Sequence, residues 1–276
     1  MLYLSKEQLR QLQLIELELL VEVDRICRKC DIHYSIIAGT MLGAVRHGGF
    51  IPWDDDADVA LLRPEYEKFV KACQTELDTT RFYFQDHTNT PGYRWGYGKL
   101  RRKDTLFLRE HQEHMPYEQG VFIDVFPMDG IPDNRLKRRF HDFHCFCIRK
   151  ILWSEVGRIA DKNVLMRKWY SMLSLIPDTV ILGHYNRFIR RSNRKQTKMV
   201  RMLMFPSPNK ELGYYRRWYV EGKRILFEGV ELEGMKDCEE YLAFTYGDYM
   251  QLPPKEKRKV HPVSAIKLIN TEEKED

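Results

Sequence analysis

No apolar run in these 276 residues approaches the roughly 20 residues that a membrane-spanning helix needs. The opening stretch, Met1-Leu2-Tyr3-Leu4-Ser5-Lys6-Glu7, brings in charge before any apolar region develops. It therefore does not read as a secretory signal, and the cytoplasm is the expected compartment. Without export, the six cysteines are expected to stay reduced. Cys27 and Cys30 have zinc-like spacing but no second pair, and Cys145 and Cys147 are one residue apart, so ordinary thiols are expected. Internal repeats, low-complexity linkers and nucleic-acid-binding motifs are also missing, and no nucleic-acid partner is expected.

What is present describes a soluble globular protein: 43% hydrophobic and 31% charged residues, in a length that suits one large domain or two small ones. The net charge of +5 is uneven. Basic residues gather in Arg135 to Lys150 and Arg187 to Arg201, whereas an acidic cluster sits near residue 55. A basic chain with an internal acidic site suggests a polyanionic substrate or an anionic membrane surface.

The acidic cluster, Trp53-Asp54-Asp55-Asp56-Ala57-Asp58, places four carboxylates in five positions directly before an apolar segment. Such carboxylates repel one another, and burying an unpaired one is costly. A hard divalent cation with oxygen ligands resolves both problems, Mg²⁺ first and Mn²⁺ as the alternative. On an extended strand Asp54, Asp56 and Asp58 point one way and Asp55 the other. The third carboxylate such a site needs is expected from a neighbouring strand. Asp124 interrupts the apolar run Val121 to Phe126 and is the best candidate; Asp129, beside Gly130, reads as a turn residue.

Along the chain, Ser5 to Gln8 fits a capping box, and the helix it opens is expected to run to about Cys30. Tyr34 to Ala38 is β-prone, Met41 to Arg46 a short helix, and Ala57 to Leu62 a buried strand. Pro64 opens a helix expected to reach Leu77. Phe82 to Phe84, Gly96 to Leu108 and Val121 to Phe126 suggest further strands. Residues from Asn134 to Arg194 read as helical, basic and aromatic. Arg224 to Leu232 reads as a strand or hairpin. A last helix, Lys236 to Tyr246, is capped by Gly247, and Asn270 to Asp276 is expected to fray. The expected architecture is α/β (α+β), with a core over residues 1–133, a basic helical elaboration over 134–222 and a segment over 223–276 that packs back on the core. Gly39-Thr40, opening a helix, would let phosphate oxygens approach backbone N–H groups.

The block from Ala38 through Gly39-Thr40-Met41-Leu42-Gly43, Arg46-His47-Gly48-Gly49 and Pro52-Trp53-Asp54-Asp55-Asp56 to Asp58 closely resembles the signature of the LicD family, bacterial phosphocholine transferases related to the fukutin-type ribitol-phosphate transferases. Ile123 to Asp129, and Tyr246 to Pro254 followed by Arg258 and His261, resemble two further blocks. The resemblance implies a nucleotidyltransferase-like mixed sheet flanked by helices, with Mg²⁺ held by Asp56 and Asp58 and a family position at Asp54 whose role as ligand is open. It also implies phosphocholine transfer from CDP-choline to a sugar hydroxyl of a surface glycan precursor (teichoic acid, lipopolysaccharide or capsule), releasing CMP. The alternatives are transfer of another CDP-activated alcohol, true nucleotidyl transfer, and a catalytically silent glycan- or membrane-binding protein.

On this reading Asp124 either binds the metal or takes the proton of the attacking hydroxyl. Arg46 and His47 contact phosphate or form a solvated helix end. Lys99, with Arg101 and Arg102, binds phosphate or solvates an edge strand. His261 contacts phosphate or acceptor, or lies on the surface. Choline calls for an aromatic cage, with Trp53, Tyr93, Trp95 and Tyr97 as candidates. Arg138, Arg139, Arg149 and Lys150 beside Phe140, Phe143 and Phe146 suit either a peripheral contact with the membrane that carries a lipid-linked acceptor or a helix with its apolar face on the core.

Overall fold

The computed structural model describes residues 4–206, 208–254, 256, 258 and 261–269, so the expected frayed end, Asn270 to Asp276, lies outside the described residues. The first helix, α1 (Lys6–Lys29), begins as its sequence dictates. The Ser5 hydroxyl accepts the Gln8 N–H at 3.1 Å, and the Gln8 side chain accepts the Ser5 N–H at 2.9 Å. Leu12, Ile15, Leu19, Val23 and Ile26 then recur at helical spacing and are buried against the sheet.

That sheet is mixed. It is built on β1 (Ser35–Ile36), β2 (Asp58–Leu62), β3 (Phe82–Gln85), β4 (Gly98–Arg102) and β6 (Phe122–Ile131), in the order β1-β2-β6-β4-β3. Only β2 and β6 pair in parallel; the helices α2 (Ala38–His47) and α3 (Arg63–Ala72) flank β2 in sequence. Every residue of β6 is buried, which fits its central place. It outruns the expected Val121 to Phe126 because a second set of partners takes over: β7 (Met199–Arg201) pairs with its far half and β8 (Tyr214–Tyr215) pairs with β7. Asp129 is therefore no turn residue. It lies within β6, fully buried, and receives Arg63 Nε and Nη2 at 2.7 Å each and Asn193 Nδ2 at 2.6 Å. Nor does β4 form an edge, since it runs between β6 and β3. Arg101 is buried on Gln85 and the Gly120 carbonyl, and Arg102 pairs with Glu18.

Four helices follow: α4 (Arg135–Leu152), α5 (Ser154–Ala160), α6 (Val164–Leu173) and α7 (Asp178–Ser192). Of these, α4 and α7 gather a second apolar cluster around Cys145, Ile148, Tyr185 and Phe188. One stripe of α4 carries Cys145, Ile148 and Leu152 inward, while Leu136, Phe140 and Phe143 point outward, 67%, 76% and 64% exposed. The hairpin β9 (Gly222–Phe227) and β10 (Val230–Met235) and the helix α8 (Cys238–Tyr246), closed by Gly247 at φ +70°, return to the first core. Finally β11 (Val263–Lys267) pairs antiparallel with β5 (Leu106–Arg109). No helix among the described residues is long and apolar enough to cross a membrane.

Candidate active site

Three strands align the chemistry by register. Asp58 of β2 is opposite Asp124 of β6, which is opposite Lys99 of β4. Cross-strand partners share a face, so the three side chains form one row. Asp56, two residues before Asp58, joins the same side. Together Asp56, Asp58 and Asp124 line a cavity of about 360 Å³, whose wall also includes Ala38, Tyr97, Arg109 and His261. The start of α2 is strained here: Ala38 sits in the left-handed region at φ +49°, with its N–H donated to the Tyr241 hydroxyl at 3.1 Å.

The electrostatics follow from crowding. Burial drives Asp58 well above the usual carboxylate range, and repulsion from Asp56, Asp124 and Asp54 adds to it. Burial also raises Asp56, while His261 and Arg109 pull it back. Asp54 is pushed up to about 8, by burial first and then by Asp56 and Asp55. Burial pushes Lys99 down to about 7 despite its ion pair with Asp124. Beneath the run, Glu16 of α1 is buried and raised well above its ordinary value, by burial and then by Asp56. An all-oxygen set of mutually repelling carboxylates on one cavity wall has the chemistry a hard cation such as Mg²⁺ or Mn²⁺ takes.

The structure redistributes several expected roles. Thr40 is buried, and its hydroxyl accepts the Asp58 N–H at 2.8 Å, so its side chain braces the acidic strand. Gly39 gives room to Asp54, because a Cβ there would lie 2.5 Å from Asp54 Oδ2; Asp54 therefore rests against the first turn of α2. Arg46 and His47 sit at the other end of that helix, where Arg46 Nη1 donates to the Tyr249 carbonyl at 2.8 Å. Trp53 lies under Arg258, whose guanidinium carbon is 4.0 Å from the ring centroid, so one face of the ring already meets a cation. Lys99 is no edge-strand charge but the buried partner of Asp124.

Asp55 does leave the cavity wall, yet it does not turn to solvent. Its carboxylate accepts the His261 N–H at 2.7 Å and lies 3.0 Å from His261 Nδ1. Ligand-type atoms of Asp55, Asp56 and His261 converge within 4.8 Å, making them the one such group among the described residues. Asp58 and Asp124 share the cavity without joining that group. Arg109 was not expected at all. It reaches the site because β11 pairs beside it, with Val263 opposite Arg109, which also delivers His261. A single arginine in a charged loop region carries no local signal of such a role.

Residues 31–148 match the family described as LicD/FKTN/FKRP, nucleotidyltransferase domain. Over 285 residues, 96% of this chain and 100% of the relative, the chain is 28% identical to the lipopolysaccharide cholinephosphotransferase LicD of Haemophilus influenzae. It is 37% identical over 121 residues to an uncharacterised protein of Rickettsia prowazekii, covering 43% of this chain and 42% of that one. A shorter match to an uncharacterised protein of Rickettsia typhi is 42% identical over 48 residues, 17% of this chain and 16% of that one.

Proposed function

The chain belongs to the LicD family, and on that premise we propose that it is an enzyme transferring phosphocholine from CDP-choline to a sugar hydroxyl of a surface glycan, with release of CMP. The observation that carries this reading is the row Asp58, Asp124 and Lys99, with Asp56 beside it, at one wall of a cavity. Asp56, Asp58 and Asp124 would hold Mg²⁺, or Mn²⁺. The bound cation would neutralise diphosphate oxygens and the charge that builds on the departing CMP.

The chain's own residues do the rest. Lys99 fixes the Asp124 carboxylate, and Asp124 faces the cavity as the group to take the hydroxyl proton or to complete the cation site. The sugar oxygen attacks the choline-bearing phosphorus, the bond to CMP breaks, and CMP leaves with the electron pair. Arg109 offers a guanidinium to the donor's phosphates. Asp55 orients the His261 ring at the cavity edge. For choline, Tyr97 with Phe126 and Phe205, at centroid separations of 4.8 and 5.4 Å from it, gives an aromatic wall to the same cavity. Ring faces are what a quaternary ammonium needs.

Incubation with Mg²⁺ and a panel of CDP-alcohols and nucleoside triphosphates tests this. CMP from CDP-choline is the expected product. CMP only from another CDP-alcohol would change the alcohol, pyrophosphate would make the chain a nucleotidyltransferase, and neither product would make it a silent binder.

We also propose a cytoplasmic enzyme resting on the membrane that carries its acceptor. Residues 134–195 hold fifteen Lys and Arg against four Asp and Glu, and the outward stripe Leu136, Phe140 and Phe143 lies within them. Basic charge around an exposed apolar stripe suits an anionic lipid surface. The protein should sediment with phosphatidylglycerol vesicles and much less with phosphatidylcholine vesicles. Leu136→Ser/Phe140→Ser/Phe143→Ser should lose most of that binding; undiminished binding by this variant, or its conversion of a dimer to a monomer, would overturn the lipid assignment.

A further inference from the structure

Beside the acidic cavity lies a second one of about 410 Å³, and the two share Tyr97, Arg109, Phe205 and Pro206. Its electrostatic character is opposite. No carboxylate lines it, whereas Arg94, Arg109, Arg149 and Lys150 all do. Arg94 is already neutralised, 3.1 Å from Asp178 and 3.4 Å from Glu155. The other three form no ion pair among the described residues. Arg149 donates to the Phe205 carbonyl at 2.7 Å, Lys150 to the Tyr170 hydroxyl at 2.8 Å, and the buried Arg109 Nε has no hydrogen-bond partner. Arg109 also faces the acidic cavity, where it draws on Asp56, so Arg149 and Lys150 are the pair left to the second cavity. Two neighbouring cations repel one another, and their grouping calls for an anion from outside the chain.

The same walls are aromatic. Trp95 and Trp153 lie 5.5 Å apart, and Phe146 and Phe205 line the cavity with them. Flat apolar faces beside cations suit a ring that carries an anionic group. Choline is excluded by charge. The donor's diphosphate already has a place, at the acidic row with its cation. What remains without one is the cytidine, whose base and ribose carry no charge, and the acceptor, which is the partner that can bring an anion of its own.

We propose that this second cavity binds the acceptor through a phosphorylated or carboxylated sugar. The ring packs against Trp95 and Trp153, Arg149 and Lys150 hold the anion, and the attacking hydroxyl reaches the acidic cavity through the opening at Tyr97 and Arg109. This assignment rests on the transferase reading above and names the substrate class that reading left open. It also gives α4 a part in catalysis, since Phe146, Arg149 and Lys150 belong to that helix.

Titration calorimetry on the full chain tests it, with glucose 6-phosphate, glucose and CMP as probes. Glucose 6-phosphate should bind measurably and change the tryptophan fluorescence, and glucose should do neither. In Arg149→Gln/Lys150→Gln its dissociation constant should rise about tenfold or more, as for the loss of charge-assisted contacts, while CMP binding stays unchanged. Equal binding of glucose and glucose 6-phosphate by the unaltered protein would overturn the proposal without recourse to any variant. So would a variant that keeps its affinity for glucose 6-phosphate, or one that loses CMP instead, which would give the cavity to the nucleotide. Release of CMP from CDP-choline is read separately, so failure of the donor reading and failure of this one are distinguishable.

Discussion

Asp58→Asn should reduce CMP release from CDP-choline by at least about a hundredfold while leaving the protein as stable as before, or more so. Loss of a group that merely orients a metal ligand costs about 10–100-fold, so loss of a ligand should exceed that range. The stability half of the prediction has an independent cause. Asp58 is held far above its ordinary pKa, by burial first and by the repulsion of Asp56, Asp124 and Asp54 next, so its ionised form is disfavoured in the metal-free fold. A neutral, nearly isosteric amide relieves that repulsion. A thermal melt beside the activity assay checks both halves. Full activity in Asp58→Asn would remove the carboxylate row from the chemistry; a collapse of stability would make Asp58 a folding residue.

The largest effect on stability belongs to Asp129. Both of its oxygens are engaged by Arg63, and Asn193 adds a third bond, all out of reach of water. Burial alone would lower the pKa of Arg63, and Asp129 more than reverses that shift. Asp129→Ala leaves a buried guanidinium without a counter-charge, which costs about 3–5 kcal/mol. In a protein of this size that corresponds to a fall in Tm on the order of 10 °C. Arg63→Met/Asp129→Leu, which removes both charges and fills the space, should recover most of the loss. A single variant as stable as the parent protein, seen by calorimetry, would contradict this role.

Much of this was legible in the sequence because its signals are local. The Ser5 capping box, the apolar spacing of α1, the alternation of Asp56 and Asp58, and an aspartate interrupting the apolar run at Asp124 each declare themselves within a few residues. What was misread depends on partners far away. Asp129 before Gly130 has the local chemistry of a turn, and only the pairing of β6 with β7, some seventy residues later, makes it a strand residue. Lys99 and Arg101 look like the charges of an edge strand until β3 and β6 are placed on either side of β4. The bracing bond from the Asp58 N–H to the Thr40 hydroxyl was equally hidden, since its partners are 18 positions apart. Arg109 and His261 are 152 positions apart and meet only because β11 lies against β5. The second cavity was invisible for the same reason, as it forms where α4 faces Trp95 and Tyr97.

The most direct test of the central claim is a crystal structure with CDP-choline and Mn²⁺, in which anomalous scattering locates the cation. The expected result is a Mn²⁺ peak on the carboxylates of Asp56, Asp58 and Asp124, touching the donor's diphosphate, with the trimethylammonium against Tyr97, Phe126 and Phe205. A diphosphate bound elsewhere, or an acidic row that stays free of metal at saturating Mn²⁺, would contradict it.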